Sequence, residues 1–346
     1  MVFALILLAL LVVSAFFNMG HFVNSLTHGK ALHARTGGPK LEEVMTEDND
    51  AANKIAVVEI EGIISSRVID QGGYTMVDLI KAQLKRAEED SRVKAVILKV
   101  NSPGGEVLAS DDINQAIGEF QTKAQKPVIA SMGSLAASGG YYVSAPCRWI
   151  VANDLTITGS IGVILHTWNY RDLMNKVGLR PDTYKSGKFK DMLSGERTQE
   201  EIPPEERAMV QSLIDETYSR FTNVVASGRQ QAHDSNKNAK GSKDQGRPLT
   251  TGWADYADGR VLSGTEAHRL GFVDELGNFE AAVKRAKTLA KISEANLIEY
   301  QQRFDLSDVL RLFGQSEKPV LKVDLGVEAP KLQAGQLYFL SPTFAH

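Results

Sequence analysis

Two glycine-marked turns carry the residues of this sequence best suited to chemistry: Asn101–Ser102–Pro103–Gly104–Gly105 and Ser138–Gly139–Gly140. Each follows a run that reads as a buried strand. Glycine at such a place lets the backbone approach a ligand closely and turn its N–H groups toward it. A serine at a helix start gains twice, because the helix dipole favours negative charge there and the next amide can donate to an oxyanion. The same glycine pairs also suit plain tight turns under close helix packing. A serine nucleophile needs a base. Of the seven histidines, only His166, downstream of Thr158–Gly159–Ser160–Ile161–Gly162, lies in a segment where a base could act. Lysine is the other candidate, and the stretch Lys185–Ser186–Gly187–Lys188–Phe189–Lys190 offers three. A lysine serves only where burial or neighbouring charge lowers its pKa, and spacing alone does not choose among them.

The elements that must position these turns alternate between strand and helix. Ile55 to Ile60 is a β-branched run typical of a buried strand, and Met76 to Glu89 has apolar residues at helical spacing. Val93 to Val100 reads as a second strand and Leu108 to Ala124 as a helix. Pro127 to Ala130 predicts a third strand, Leu135 to Ser144 a helix, and Trp149 to Val151 a strand. Ile202 to Ser227 is a long helical stretch, and residues 228–247 are polar enough to predict a mobile surface insertion. Thr265 to Leu270 and Phe279 to Ala290 read as helices. Further on, Leu306 to Phe313 suggests an amphipathic helix, and Val320 to Val323 and Leu337 to Leu340 suggest strands. This alternation implies an α/β layered domain over residues 54–292, with a C-terminal extension over 293–346.

The chain has 346 residues and a formal net charge of −3, which gives no basic surface for nucleic acid. Cys147 is the single cysteine, so neither an intramolecular disulfide nor a cysteine-based zinc site can form. Residues 1–23 form an apolar run near the roughly 20 residues a spanning helix needs. They predict a membrane anchor or signal segment, followed by a polar linker over residues 24–53. Lys30, Arg35 and Lys40 follow the run, which by the positive-inside rule alone would keep the domain cytoplasmic.

Five motifs in order resemble the signal peptide peptidase A (SppA) family: Asn101–Gly105, Ala136–Tyr142, Thr158–Gly162, Lys190–Ser194, and Ala257–Arg260 followed by Gly271–Asp274. Together they span roughly Lys54 to Ala290. The resemblance implies a ClpP/crotonase-like fold with a single catalytic unit, and a serine endopeptidase with a Ser–Lys dyad. By motif position Ser138 matches the nucleophile, Lys190 the general base and Ser160 a serine that orients the lysine. Gly105 and Gly139 match the backbone donors of the oxyanion hole. It further implies remnant signal peptides and other apolar, extended peptides as substrates, no metal or cofactor, and no nucleic-acid partner. It places the chain in the inner (cytoplasmic) membrane, single-pass, with the catalytic domain on the extracytoplasmic, periplasmic side. Some family members carry two units in tandem, with the lysine and serine in different halves. A single-unit chain is therefore expected to form a homo-oligomeric ring, with Lys190 of one subunit serving Ser138 of its neighbour. A crotonase-type acyl-CoA enzyme and a non-catalytic membrane assembly protein would use the same glycine turns differently.

Overall fold

The computed structural model describes residues 38–68, 73–237, 244–302 and 337–340. Nearly all belong to one compact unit, Glu43–Gln301 with Glu328–His346. The apolar segment 1–23 and the elements expected between 306 and 323 lie outside the described residues. Among the described residues, no helix is long and apolar enough to cross a membrane.

The frame is a nine-stranded sheet whose spine runs β1 (Leu41–Glu47), β10 (Asn296–Gln302), β2 (Lys54–Glu61), β3 (Val93–Ser102), β5 (Val128–Ala136), β6 (Trp149–Ala152), β9 (Glu275–Leu276). From β10 to β9 every neighbouring pair is parallel. Parallel strands covered on both faces read as unbroken apolar runs, and Ile55–Val58 and Ala95–Leu98 are buried throughout. Two short strands, β7 (Ile157–Gly159) and β8 (Val261–Ser263), pair with each other, and β7 joins β5 at Leu135–Ile157.

Handedness distributes the helices. The steps β2 to β3 to β5 all move the same way across the sheet, so right-handed crossovers put α1 (Met76–Glu89) and α2 (Val107–Ala124) on one face. The return from β9 to β10 reverses direction and puts α7 (Phe279–Ala290) on the other. There Ala282 and Ala286 close on Ile55, Ile97, Ile129 and Trp149. Thr75 opens α1 with a reciprocal capping box to Asp78. The remaining helices are α3 (Gly139–Ser144), α4 (Arg171–Lys176), α5 (Pro204–Asn236) and α6 (Gly264–Leu270).

Three expectations change. Residues 41–47, expected as linker, form the edge strand β1 beside β10. Backbone pairing and polar contacts hold it there, such as Asn49 N–H donating to Asn296 Oδ1 at 2.8 Å, while of its side chains only Leu41 and Val44 are half-buried and the rest are exposed. The expected helix from Leu135 is strand through Ala136, and α3 starts only after Ser138. Residues 228–236 are not a mobile insertion but the last turns of α5, with Gly228, Arg229, Ala232 and Asn236 buried. A Cβ on Gly228 would stand 2.6 Å from the Ala145 carbonyl oxygen, so this helix packs hard against the segment following α3.

Candidate active site

Ser138 joins the end of β5 to the start of α3 with φ 53° and ψ −116°. A side-chain-bearing residue enters that region at a cost of about 1–3 kcal/mol, and does so only where its surroundings hold it. Here Ser138 N–H donates to Gly159 O and Ser138 O accepts from Tyr142 N, both at 2.8 Å. The residue is fully buried, and its Oγ has no hydrogen-bond partner. An unsatisfied buried hydroxyl costs stability and marks a group held for something other than folding.

Glycines crowd the start of α3. β4 (Gly104–Glu106) lies against the first residue of α3 so closely that side chains are excluded. A Cβ on Gly104 would stand 2.5 Å from Gly139 N, and one on Gly139 would stand 3.1 Å from Gly105 N. On Gly105 it would meet Ile64 O at 1.9 Å. The amides of Gly105 and Gly139 are thereby brought together next to Ser138. Ser160, 3% exposed and with φ 50°, follows the very carbonyl that receives the Ser138 N–H, and its own N–H donates to Arg260 O at 2.7 Å.

Four of the five expected residues thus converge. The fifth does not. Lys190 is exposed in a turn-rich stretch, its N–H donating to Gly187 O at 3.2 Å, and it makes no bond to Ser138 Oγ. Its neighbour Lys185 pairs with Asp191 at 2.8 Å. His166 is likewise exposed and supplies no partner to the serine. Among the described residues, none donates to or accepts from the Ser138 hydroxyl.

The strand expected at Leu337 to Leu340 lies over the glycines. β11 (Tyr338–Leu340) runs antiparallel to β4, pairing Phe339 with Gly105 and Leu340 with Gly104. On its other side Tyr338 exchanges two hydrogen bonds with Ile164, at 3.2 and 3.3 Å. The chain's own C-terminal segment therefore fills a slot between two extended backbones. The Phe339 carbonyl oxygen stands 2.0 Å from where a Gly104 Cβ would be, beside the amide that follows Ser138. The apolar run Leu337–Leu340 signalled a strand, but nothing local named a partner more than 230 positions away.

A family model for peptidase family S49 matches residues 120–248 and 244–293. A putative signal peptide peptidase SppA of Enterococcus faecium is 35% identical over 269 residues, covering 77% of this chain and 72% of that protein. This chain belongs to peptidase family S49. Protease 4 of Haemophilus influenzae is 37% identical over 246 residues, which are 70% of this chain and 36% of that longer protein. Among solved structures, a membrane-bound stomatin-specific protease in complex with a substrate peptide is 18% identical with a TM-score of 0.40, covering 76% of this chain and 98% of that one. The S49 match takes in Ser138, Ser160 and Lys190, while β4 with Gly105 precedes it.

Proposed function

We propose that this S49 chain is a membrane-attached serine endopeptidase with a Ser–Lys dyad and a ClpP/crotonase-like fold. It would degrade remnant signal peptides and other apolar, extended peptides outside the cytoplasm. The observation that carries the reading is Ser138: strained, buried, with an unpartnered hydroxyl, at the start of α3 beside a slot that accepts an extended strand. Ser138 Oγ attacks the scissile carbonyl while a neutral Lys190 amine takes its proton. Gly105 and Gly139 N–H groups receive the oxyanion, a contribution worth roughly 3 kcal/mol of barrier per donor. The ammonium then gives its proton to the leaving amine, and water releases the acyl group from the serine. Ser160 orients the lysine.

A base must be neutral, and an exposed lysine near neutral pH is a cation. The reading therefore requires Lys190 to be desolvated by a second copy within a homo-oligomeric ring, where it serves the neighbour's Ser138. The segment leading to it supports such a contact, since Trp168, Leu173, Val177 and Tyr184 all expose large apolar side chains.

The deciding measurement is cleavage of an apolar fluorogenic peptide by wild type, Lys190→Ala and His166→Ala. Loss of at least a thousandfold in Lys190→Ala alone supports the dyad, whereas near-wild-type activity in that variant sinks it. Mixing Ser138→Ala with Lys190→Ala protein under subunit exchange should restore part of the activity. No recovery rejects the shared site.

A further inference from the structure

Three lysines crowd residues 185–190, and their partners tell them apart. Lys185 pairs with Asp191 at 2.8 Å and Lys188 with Glu205 at 3.5 Å, while among the described residues Lys190 Nζ has no partner. The backbone under that free side chain is nevertheless fixed. Lys190 N–H donates to Gly187 O at 3.2 Å, Met192 N–H to Phe189 O at 3.1 Å and Ser194 N–H to Asp191 O at 3.1 Å. Among them Leu193 takes a φ of 68°, which a side-chain-bearing residue keeps only where its surroundings hold it.

Glu206 does the holding. It is 2% exposed and lies in the first turn of α5, where the helix dipole favours negative charge. Its Oε1 accepts from Leu193 N–H at 3.1 Å and from Arg197 Nη2. Arg197 in turn stands 3.7 Å from Asp191, the residue after Lys190. The Arg197 carbonyl accepts from Asn169 Nδ2 at 2.9 Å and the Gly195 carbonyl from Tyr170 N–H at 2.9 Å, so the segment with the exposed Trp168 is tied to the same loop. Lys185, Asp191, Arg197 and Glu206 carry two charges of each sign, so they bring no net charge to the loop. Arg197 holds the Glu206 carboxyl below its ordinary value although burial opposes this. A buried carboxylate is costly unless it is paired and hydrogen-bonded, and both partners of Glu206 belong to the loop that carries Lys190.

We infer that Glu206 is the positioning residue for the base: through the Leu193 amide and the Arg197–Asp191 pair it sets the turn from which Lys190 reaches Ser138. The inference rests on the reading of Lys190 as base and adds the group that aims it. Glu206 meets no substrate in this role, so its loss misplaces the amine without touching the peptide. A displacement of about 1 Å costs on the order of a hundredfold in rate.

Glu206→Leu removes the acceptor at similar volume, and Glu206→Gln keeps it. With the full chain and an apolar fluorogenic peptide, Glu206→Leu should lower kcat by about 10–100-fold and leave KM within about twofold of wild type. Glu206→Gln should recover most of that loss. Asp191→Asn, an isosteric change at the outer end of the chain of contacts that keeps the fold, should lower kcat several-fold with KM unmoved. On the Ser138→Ala background, Glu206→Leu should change neither the anisotropy titration of a labelled peptide nor the assembly size in sedimentation. Combined with Lys190→Ala it should be no slower than Lys190→Ala alone, because it acts through that amine. Four results overturn the inference while the dyad stands: wild-type kcat in Glu206→Leu, wild-type kcat in Asp191→Asn, a matching loss of peptide binding or assembly, or a further loss on top of Lys190→Ala. Near-wild-type cleavage by Lys190→Ala removes the dyad, and the inference falls with it.

Discussion

Ser138 bears two costs at once, a positive φ and a buried hydroxyl with no partner. Replacing it with alanine removes the second, so Ser138→Ala should gain about 1 kcal/mol of stability while losing peptide cleavage. In thermal melts that corresponds to a rise of roughly 2–4 °C. Gly105→Ala should act in the opposite direction. Its Cβ would stand 1.9 Å from the Ile64 carbonyl oxygen, and moving backbone to relieve that costs about 1–3 kcal/mol and misaligns β4. Ser138, Ser160, Gly105 and Gly139 were legible because short motifs fix backbone geometry locally. Lys190 was legible as a motif residue but not as a neighbour of Ser138, since it sits exposed in a turn and, among the described residues, makes no bond to that hydroxyl.

Asp111 links α2 to both α3 and α5. It accepts from the Tyr142 hydroxyl and pairs with Arg220 at 3.1 Å. Burial alone would raise its pKa, but the Tyr142 hydroxyl and Arg220 together hold it below the ordinary 3.8. A depressed carboxylate contributes stability above its unfolded pKa and loses it as pH falls through the folded value. The melting-temperature gap between wild type and Asp111→Asn should therefore hold steady near neutrality and narrow below about pH 4. At this scale apolar periodicity, which reports burial, located most helices and the buried strands β2, β3, β5 and β6, but not the short or polar strands nor β10. It failed at the β5–α3 junction, where a helix-like composition gave no sign of the φ reversal at Ser138. It failed again at residues 228–236, where a charged surface pattern concealed buried polar groups.

The largest of those concealed groups is Arg229. It is 1% exposed and forms an ion pair with Asp274 while donating to Cys147 O at 3.1 Å. Burial works against its charge, but Asp274 raises its pKa overall. Asp274 also accepts from Ile150 N at 2.8 Å and Arg247 N at 3.0 Å, so one carboxylate ties α5, β6 and the segment before α6 together. Asp274→Ala leaves the guanidinium buried without its counter-charge and should cost about 3–5 kcal/mol in denaturant unfolding. Arg229→Met strands the Asp274 carboxylate in turn, but the Ile150 and Arg247 amides still donate to it, so this change should cost less. Composition cannot reveal such a pair, because each half reads as an ordinary surface residue until the other is placed.

The position of β10 has a consequence for the order of assembly. It sits between β1 and β2, and its Asn296 pairs with Lys54, 242 residues earlier. While the chain emerges from the ribosome, the apolar flank of β2 must wait for that partner. At about 5–20 residues per second the wait is on the order of 10–50 s. Through that interval the nascent domain presents an open, β-branched strand edge, the kind of surface that chaperones hold and that aggregates recruit. Ribosome-bound chains halted before Asn296 should therefore be readily digested by protease, and chains halted well past Gln302 should resist.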